Sequence, residues 1–353
     1  MHDGLYLAQA KWFRSFIVWW SPAGASWRIP VCPGGYLIGI VLLANLIAAH
    51  LKRFTMSWKK LGIQFAHFGI ILLLVGQLTT DLFSRESRMP FGEGETRQYS
   101  ESHMDNEIAF ALDLGAEQER VVVIPDGLVR PGAEFRHPEL PFVVRVKEHG
   151  ANCTIRQRAP MMDTNPPPAT EGTGRRATVI PEPETREMDK VNLPYAVLEL
   201  IRSGTSLGTW LVSPWLDEQP VKIGDQTWRT SFRSERYYEP FSLTLLRATH
   251  EVYPGTDTPK NFQSRVEINH HATGEKRETD IYMNNPLRYG GLTFYQYQMP
   301  PDEKDRSRSK SVLMVVRNPS WLTPYVGCIL VAVGLLWQFA FHLTGFVTRR
   351  LAA

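Results

Sequence analysis

The sequence predicts a membrane-anchored α+β protein, in which three transmembrane helices carry a large, mainly β extracytoplasmic domain. Over 353 residues the mean hydropathy is −0.23, yet the apolar residues are concentrated in three stretches. A hydrocarbon core of about 30 Å requires roughly 20 apolar helical residues, which is close to the length of each stretch. The long polar remainder alternates between β-rich runs and turn residues. This combination favours an anchored domain over a polytopic channel.

The predicted spans are residues 31–51, 61–83 and 322–347. The first two form a helical hairpin at 31–84, because only a short loop separates them. The strongly apolar part of the first span covers only 36–49, so its interfacial end must supply some of the length. The last span and a short tail occupy 321–353.

Basic residues set the expected orientation. They cluster in the hairpin loop and after the last span: Lys52, Arg53, Lys59, Lys60, Arg349 and Arg350. The positive-inside rule places both clusters in the cytosol and residues 1–30 and 84–320 outside.

Residues 1–30 are aromatic, and they fit the membrane interface and packing on the protein equally well. They show no signal-peptide pattern, so we expect a reverse anchor or, preferably, an additional helix upstream.

The extracytoplasmic domain is predicted to cover residues 85–320. Ten short runs read as strands: 120–124, 142–147, 195–201, 208–212, 227–232, 242–251, 264–269, 278–283, 292–298 and 311–317. That number of strands without long helical patterns favours a β-sandwich or a barrel-like domain. Residues 156–190 are rich in Pro, Thr, Glu and Arg and poor in large apolar groups, which predicts a flexible insertion.

Composition excludes several classes of function. The net charge is +3 and no basic run of the nucleic-acid-binding type is present. Cys32, Cys153 and Cys328 are widely spaced, so the chain has neither a disulfide framework nor a C-x-x-C redox motif. No metal-ligand spacing, catalytic triad or phosphate loop stands out.

Three histidines fall within or at the ends of the spans: His50, His67 and His342. His67 is seven residues from Lys60, or roughly 10 Å along a helix, and His342 is seven residues before Arg349. These counts place all three in the cytosolic half of the membrane. An ionisable group at such a depth indicates a functional site, here a haem ligand or a proton relay. The alternative is a structural hydrogen bond to a neighbouring helix, which we favour for His50 and His342 but not for His67.

Several segments, in order along the chain, resemble one membrane-protein family. They are residues 64–76 (QFAHFGIILLLVG), 91–95 (FGEGE), 241–264 (with YPG at 253–255, PK at 259–260 and FQS at 262–264), 281–297 (IYMNNPLRYGGLTFYQY) and 315–319 (VVRNP). This set resembles the ResB (also called CcsB) family, a membrane component of the System II pathway of cytochrome c maturation. The resemblance covers about 31–100 and 240–347. Members usually have four spans, and Asn285 stands where many have histidine.

The resemblance implies a bacterial cytoplasmic-membrane protein that handles haem transiently. It implies a multispan partner of the ResC/CcsA type and, as further partners, apocytochrome c and thiol-reducing proteins. Together such proteins deliver haem across the membrane and attach it to apocytochrome c. His67 stands at the family's transmembrane histidine, a haem axial ligand candidate whose second ligand is expected from the partner. His50 and His342 are secondary candidates. The resemblance favours a non-catalytic subunit of a haem-lyase-type cytochrome c synthase complex.

The most specific matching segment also offers a candidate contact surface. Its members are Pro286, Arg288, Tyr289, Phe294 and Tyr295. A partner-docking surface and a core hairpin both fit, because alternating aromatic residues are what a half-buried strand needs. For the whole chain, the alternative function is a membrane-tethered β-domain that acts as an adaptor or sensor without haem. A thiol oxidoreductase is disfavoured, because Cys153 is the only cysteine of the predicted β-domain.

Overall fold

A computed structural model describes residues 8–21, 27–52, 54–55, 57–115, 118–159, 163–184, 192–255, 259–300 and 310–351. The described chain divides into two compact units. The first contains residues up to Arg85, the turn Arg288–Thr293, and the chain from Val316 onward. The second contains Glu86–Leu287 and Phe294–Val315. Parts of the predicted 1–30 segment and of the predicted insertion, together with Arg53, lie outside the described residues.

Three helices of the first unit are long and apolar enough to span a membrane: α1 (Gly35–Lys52), α2 (Leu61–Phe83) and α3 (Thr323–Leu351). The prediction of three such helices is confirmed, with different bounds for two of them. The first helix begins at Gly35, because Ile29–Pro33 (β2) pairs antiparallel with Ile17–Trp20 (β1). Helix α3 continues past 347 to Leu351, since nothing in TRRL breaks a helix.

Helices α2 and α3 pack closely through glycine. Gly62, Gly69 and Gly76 recur every seven residues on α2, and Gly327 and Gly334 recur in the same way on α3. A Cβ at Gly62 would lie 2.5 Å from the carbonyl oxygen of Gly334, and one at Gly69 would lie 2.8 Å from that of Gly327. Small residues allow helix backbones to approach in a membrane, where association depends on packing and hydrogen bonds.

The large β-rich region of the prediction is also present. After β1 and β2, its strands are β3 (Arg85–Gly92), β4 (Thr96–Gly115), β5 (Gln118–Pro125), β6 (Glu134–Phe135), β7 (Val143–Gly150), β8 (Cys153–Gln157), β9 (Ala177–Pro181), β10 (Tyr195–Arg202), β11 (Thr205–Val212), β12 (Gln219–Ile223), β13 (Gln226–Val252), β14 (Pro259–His270), β15 (Glu275–Tyr282), β16 (Leu287–Tyr289), β17 (Leu292–Gln298) and β18 (Lys310–Arg317). Each of the ten predicted runs overlaps a strand. The long strands β4 and β13 extend well beyond what their alternation indicated.

The core of the second unit lies between two sheets. A four-stranded sheet has the order β11-β10-β7-β6, and a ten-stranded sheet has the order β15-β14-β13-β4-β3-β18-β17-β16, with β5 and β12 attached to β4 and β13. Their facing side chains form one apolar cluster that includes Phe110 and Trp228 of the large sheet and Val144 and Leu198 of the small one. The β4–β13 ladder organises this unit.

Part of residues 156–190 is ordered, whereas the composition predicts flexibility. Strand β8 pairs antiparallel with β9, and Ala169 and Ala177 are buried beside Leu211. A Cβ at Gly174 would come within 2.7 Å of the side chain of Leu211. The compositional argument holds for a segment that must form its own core. Here small residues instead pack on a surface that the four-stranded sheet already provides.

Candidate functional site

The structure brings two of the three membrane histidines together. His50 lies in the last turn of α1 and His67 lies in the second turn of α2. Their ring centroids are 5.9 Å apart and the rings are nearly perpendicular, at 89°. His67 is on the side of α2 away from the glycine contact with α3, because five residues after Gly62 correspond to about 140° of rotation. The glycine face of α2 therefore holds α3, and the histidine face meets α1.

His67 makes no hydrogen bond to any residue that the structure describes, although its ring is half-buried. Buried polar atoms near it are also unpaired. They are Nδ1 of His50 and Oε1 of Gln64, one turn before His67. An unpaired polar atom costs several kcal/mol where no water is available to bind it. The described chain therefore leaves these two atoms beside His67 without a hydrogen-bond partner.

His342 lies away from this pair. Gly69 of α2 contacts Val331 of α3, so Val331 lies near the level of His67. His342 is eleven residues further along α3, or roughly 16 Å at 1.5 Å per residue. The expectation that His342 and His67 share one depth is therefore wrong. Counting back from Arg349 fails because α3 continues beyond the level at which α2 begins.

The immediate surroundings of His342 are consistent with a structural role. Its Nε2 atom lies 2.7 Å from Nε2 of Gln338, so an imidazole nitrogen accepts from the amide of the same helix. Its side chain is exposed, as expected for the outer face of a membrane helix. Five residues before it, Trp337 donates a hydrogen bond to the carbonyl of Trp58 at 3.0 Å. The hydrogen bond from Trp337 thus links α3 to the residues just before α2.

The opposite end of α2 carries a partly buried charge that the sequence analysis did not single out. Asp81 accepts a hydrogen bond from the Tyr36 hydroxyl at the start of α1 and forms an ion pair with Arg14 at 2.8 Å. Its side chain is 16% exposed, compared with 48% for Arg14. Asp81 is the one acidic residue in the three predicted spans, and this isolation within an apolar sequence could have identified it. Its contacts tie α1 to α2 far from His67.

The predicted contact segment divides between the two units. Phe294 is fully buried, and its ring contacts Phe241 at 6.1 Å, so it belongs to the core. Tyr295 and Tyr297 alternate with it along β17 and are 41% and 39% exposed. Pro286 is half-buried just before β16. Arg288 and Tyr289 belong to the first unit.

The described cysteines provide no reactive thiol pair and the described residues contain no metal-binding cluster. Cys153 is 4% exposed, in the apolar cluster formed with Ala177 and Leu211. Burial raises the pKa of its thiol to about 11, and the carboxylate of Glu182 contributes in the same direction. The thiolate is the nucleophilic form, so Cys153 is poorly suited to redox or transfer chemistry.

We expect Cys153 to resist alkylation in the folded protein at pH 7.5. With a pKa near 11, under about 0.1% of the thiol is ionised, and burial further limits access. Iodoacetamide labelling with peptide mass spectrometry should modify Cys153 at least tenfold more slowly than in protein unfolded with urea. Equal rates in the two states would contradict the buried position of this thiol.

Comparison with known proteins connects this architecture to a family. Residues 217–309 match the model of the ResB-like family. Protein NrfI of Wolinella succinogenes is 31% identical over 124 residues, which is 35% of this chain and 12% of that protein. The chain thus corresponds to a small part of the length of this relative.

The matched region 217–309 contains β13, β14, β15 and β17, together with the 281–297 segment on which the resemblance to ResB most depends. It lies within a chain that has three potential membrane-spanning helices and a large β-rich unit. The predicted resemblance to the ResB-like (ResB/CcsB) family is therefore confirmed.

Proposed function

We propose that this protein is a cytochrome c biogenesis subunit that holds haem within the membrane through His67. Haem is the redox-active iron porphyrin that becomes covalently bound to apocytochrome c. The observation that carries the proposal is the half-buried His67 ring, which has no hydrogen-bond partner among the described residues and faces His50 at 5.9 Å. Neutral imidazole is a good ligand for haem iron.

The surroundings of His67 fit such a ligand. The unpaired buried atoms of His50 and Gln64 can accept or donate hydrogen bonds to polar edges of a bound molecule. The His50 ring limits rotation of the His67 ring by packing against it edge to face. Helix α1 has no fully buried residue, so it packs less closely on α2 than α3 does. The looser contact leaves room for a ligand beside His67.

In this proposal the chain works with a ResC/CcsA-type membrane protein that supplies the second axial ligand. The β-rich unit lies on the extracytoplasmic side, where it positions apocytochrome c after thiol-reducing proteins have reduced the client. The exposed face of β17, with Tyr295 and Tyr297, is the surface that we assign to the client. The hairpin loop and the end of α3 lie in the cytosol, consistent with their basic residues.

The alternative function is a haem-free adaptor or sensor tethered to the membrane. If this alternative holds, His67 should form a hydrogen bond to a neighbouring helix. The absence of any such hydrogen bond among the described residues favours the haem-handling role.

The test is the haem content of the full chain co-purified with its partner. His67→Ala should lower the Soret absorbance per mole of complex at least fivefold, and added imidazole should restore part of it. His342→Ala is the matched control, because His342 also lies on a membrane helix but already contacts Gln338. It should leave the haem content unchanged. Circular dichroism would establish that both variants fold, and equal haem in wild type and His67→Ala would refute the role of His67.

A further inference from the structure

A small cavity opens at the end of the first unit that is opposite the histidine pair. Its volume is about 240 Å³, and it is lined by the turn Arg288–Thr293 together with Asn318 and Trp321. All of these residues belong to the first unit. The cavity therefore lies beside the start of α3, at Thr323, where the chain begins its last potential membrane span.

The lining of the cavity is cationic and carries no acid. Arg288 stacks on the Trp321 ring, with its guanidinium carbon 4.3 Å from the ring centroid. No carboxylate forms an ion pair with Arg288 among the described residues. A planar guanidinium that rests on an aromatic face keeps its N–H donors free at the edge, and that fork matches phosphate oxygens.

Hydrogen bonds orient Asn318 so that its donor group is also available. Its Oδ1 atom accepts from the backbone N–H of Ser320 at 2.9 Å, and from the hydroxyl of Thr80 on α2 at 3.3 Å. The amide nitrogen consequently points away from these partners, and no acceptor for it occurs among the described residues. Gly290 and Gly291 both have positive φ, at 58° and 76°, and a Cβ at Gly291 would meet nothing within 4 Å. The turn backbone is thus open to a ligand.

The apolar side chains beside the cavity indicate that the bound anion is the phosphate of a lipid. Trp321, Leu322 and Tyr325 are 48%, 51% and 55% exposed at the start of α3, an arrangement typical of the headgroup zone of a bilayer. A soluble anion would need only the donors. A phospholipid would use the donors for its phosphate and this apolar rim for its acyl chains.

We propose that Arg288, Asn318 and the Gly290–Gly291 turn bind the phosphate of an anionic phospholipid, with Trp321 as the stacking platform for the guanidinium. The bound lipid seats the start of α3 at the membrane surface. This role is independent of haem and involves neither His50 nor His67.

The experiment is a titration of the delipidated full chain in detergent with phosphatidylglycerol, followed by native mass spectrometry. Arg288→Gln should weaken binding at least fivefold. Arg288→Lys should weaken it less, because the charge remains but the planar fork is lost. Arg202→Gln is the matched control, since Arg202 is exposed in the second unit and has no ion pair among the described residues. It should bind as wild type does.

Two results would overturn the proposal. One is equal phosphatidylglycerol affinity in wild type and Arg288→Gln. The other is Arg288-dependent binding of inorganic phosphate alone that fully competes with the lipid, which would identify a soluble anion as the ligand. Because Arg288 is exposed, its substitution should not affect folding, and circular dichroism checks this. A lipid result of either kind leaves the haem measurement on His67→Ala unaffected.

Discussion

Gly69→Leu is expected to separate α2 from α3 and to prevent accumulation of the folded protein. A Cβ at position 69 would lie 2.8 Å from the carbonyl oxygen of Gly327 and 3.0 Å from the backbone nitrogen of Val331. Both neighbours are backbone atoms, so a rotamer change cannot relieve the overlap. Even Gly69→Ala should cost about 1–3 kcal/mol, the usual range for overpacking. The leucine side chain adds three further carbon atoms to the same contact.

The measurement is the thermal midpoint of the full chain in detergent, followed by fluorescence-detected size exclusion. Gly39→Leu on α1 and Gly345→Leu on α3 are matched controls, because a Cβ at either position meets nothing within 4 Å. Both controls should run as wild type, whereas Gly69→Leu should show little folded protein. Similar profiles for Gly69→Leu and Gly39→Leu would show that the α2–α3 interface does not depend on close backbone approach.

Arg233→Met is expected to destabilise the β-rich unit by about 3–5 kcal/mol, because it leaves the carboxylate of Glu107 buried without its partner. The Nε atom of Arg233 lies 3.0 Å from Oε1 of Glu107, and the side chains are only 12% and 5% exposed. In a unit of this size such a loss lowers Tm by roughly 10 °C. Circular dichroism of the strand signal in the full chain would report it.

The matched control is Arg229→Met on the same strand. Its partner Glu119 is 50% exposed, so solvent screens the pair and the loss should be at most about 1 kcal/mol. A double variant, Arg233→Met with Glu107→Leu, should recover most of the stability, since removing both charges removes the unpaired one. Equal losses from Arg233→Met and Arg229→Met would show that burial does not govern the cost.

The destabilisation by Arg233→Met should depend on pH. Burial raises the pKa of Glu107, and the hydrogen bond from Arg233 opposes that shift. A folded-state pKa above the unfolded value means that this group favours folding most at acidic pH. Its contribution is lost as the pH rises through the folded pKa. Without Arg233 the folded pKa rises further, so the gap between variant and wild type should be small near pH 4 and reach its full size near neutrality.

Much of the architecture was predictable because it depends on local patterns. The apolar composition of α2 has the length of a membrane span, and the structure places its ends at Leu61 and Phe83, as predicted. The alternation in strands such as β17 and β18 was likewise readable. The long β4–β13 ladder was not, because its polar stretches are held by cross-strand pairs such as Arg236–Glu101 rather than by burial.

The site shows the same division. Sequence singled out His67 by its depth, since a charged or polar group within an apolar run stands out whatever the fold. It ranked His50 only as a secondary candidate, because a position two residues before Lys52 is close to the membrane surface. Only the crossing of α1 over α2 brings the two rings to 5.9 Å.

By itself the sequence determined the three long apolar helices, the β-rich class and the resemblance to ResB, and it singled out His67 as a candidate site residue. These depend on hydropathy, periodicity and motifs, which act over a few neighbouring residues. Tertiary structure decided the pairing of His50 with His67, the separation of His342, and the stacking of Arg288 on Trp321. Those relations depend on helix register and on contacts between residues far apart in the chain. In the α2–α3 pair the register follows from where glycines permit the backbones to meet, which no single segment reveals.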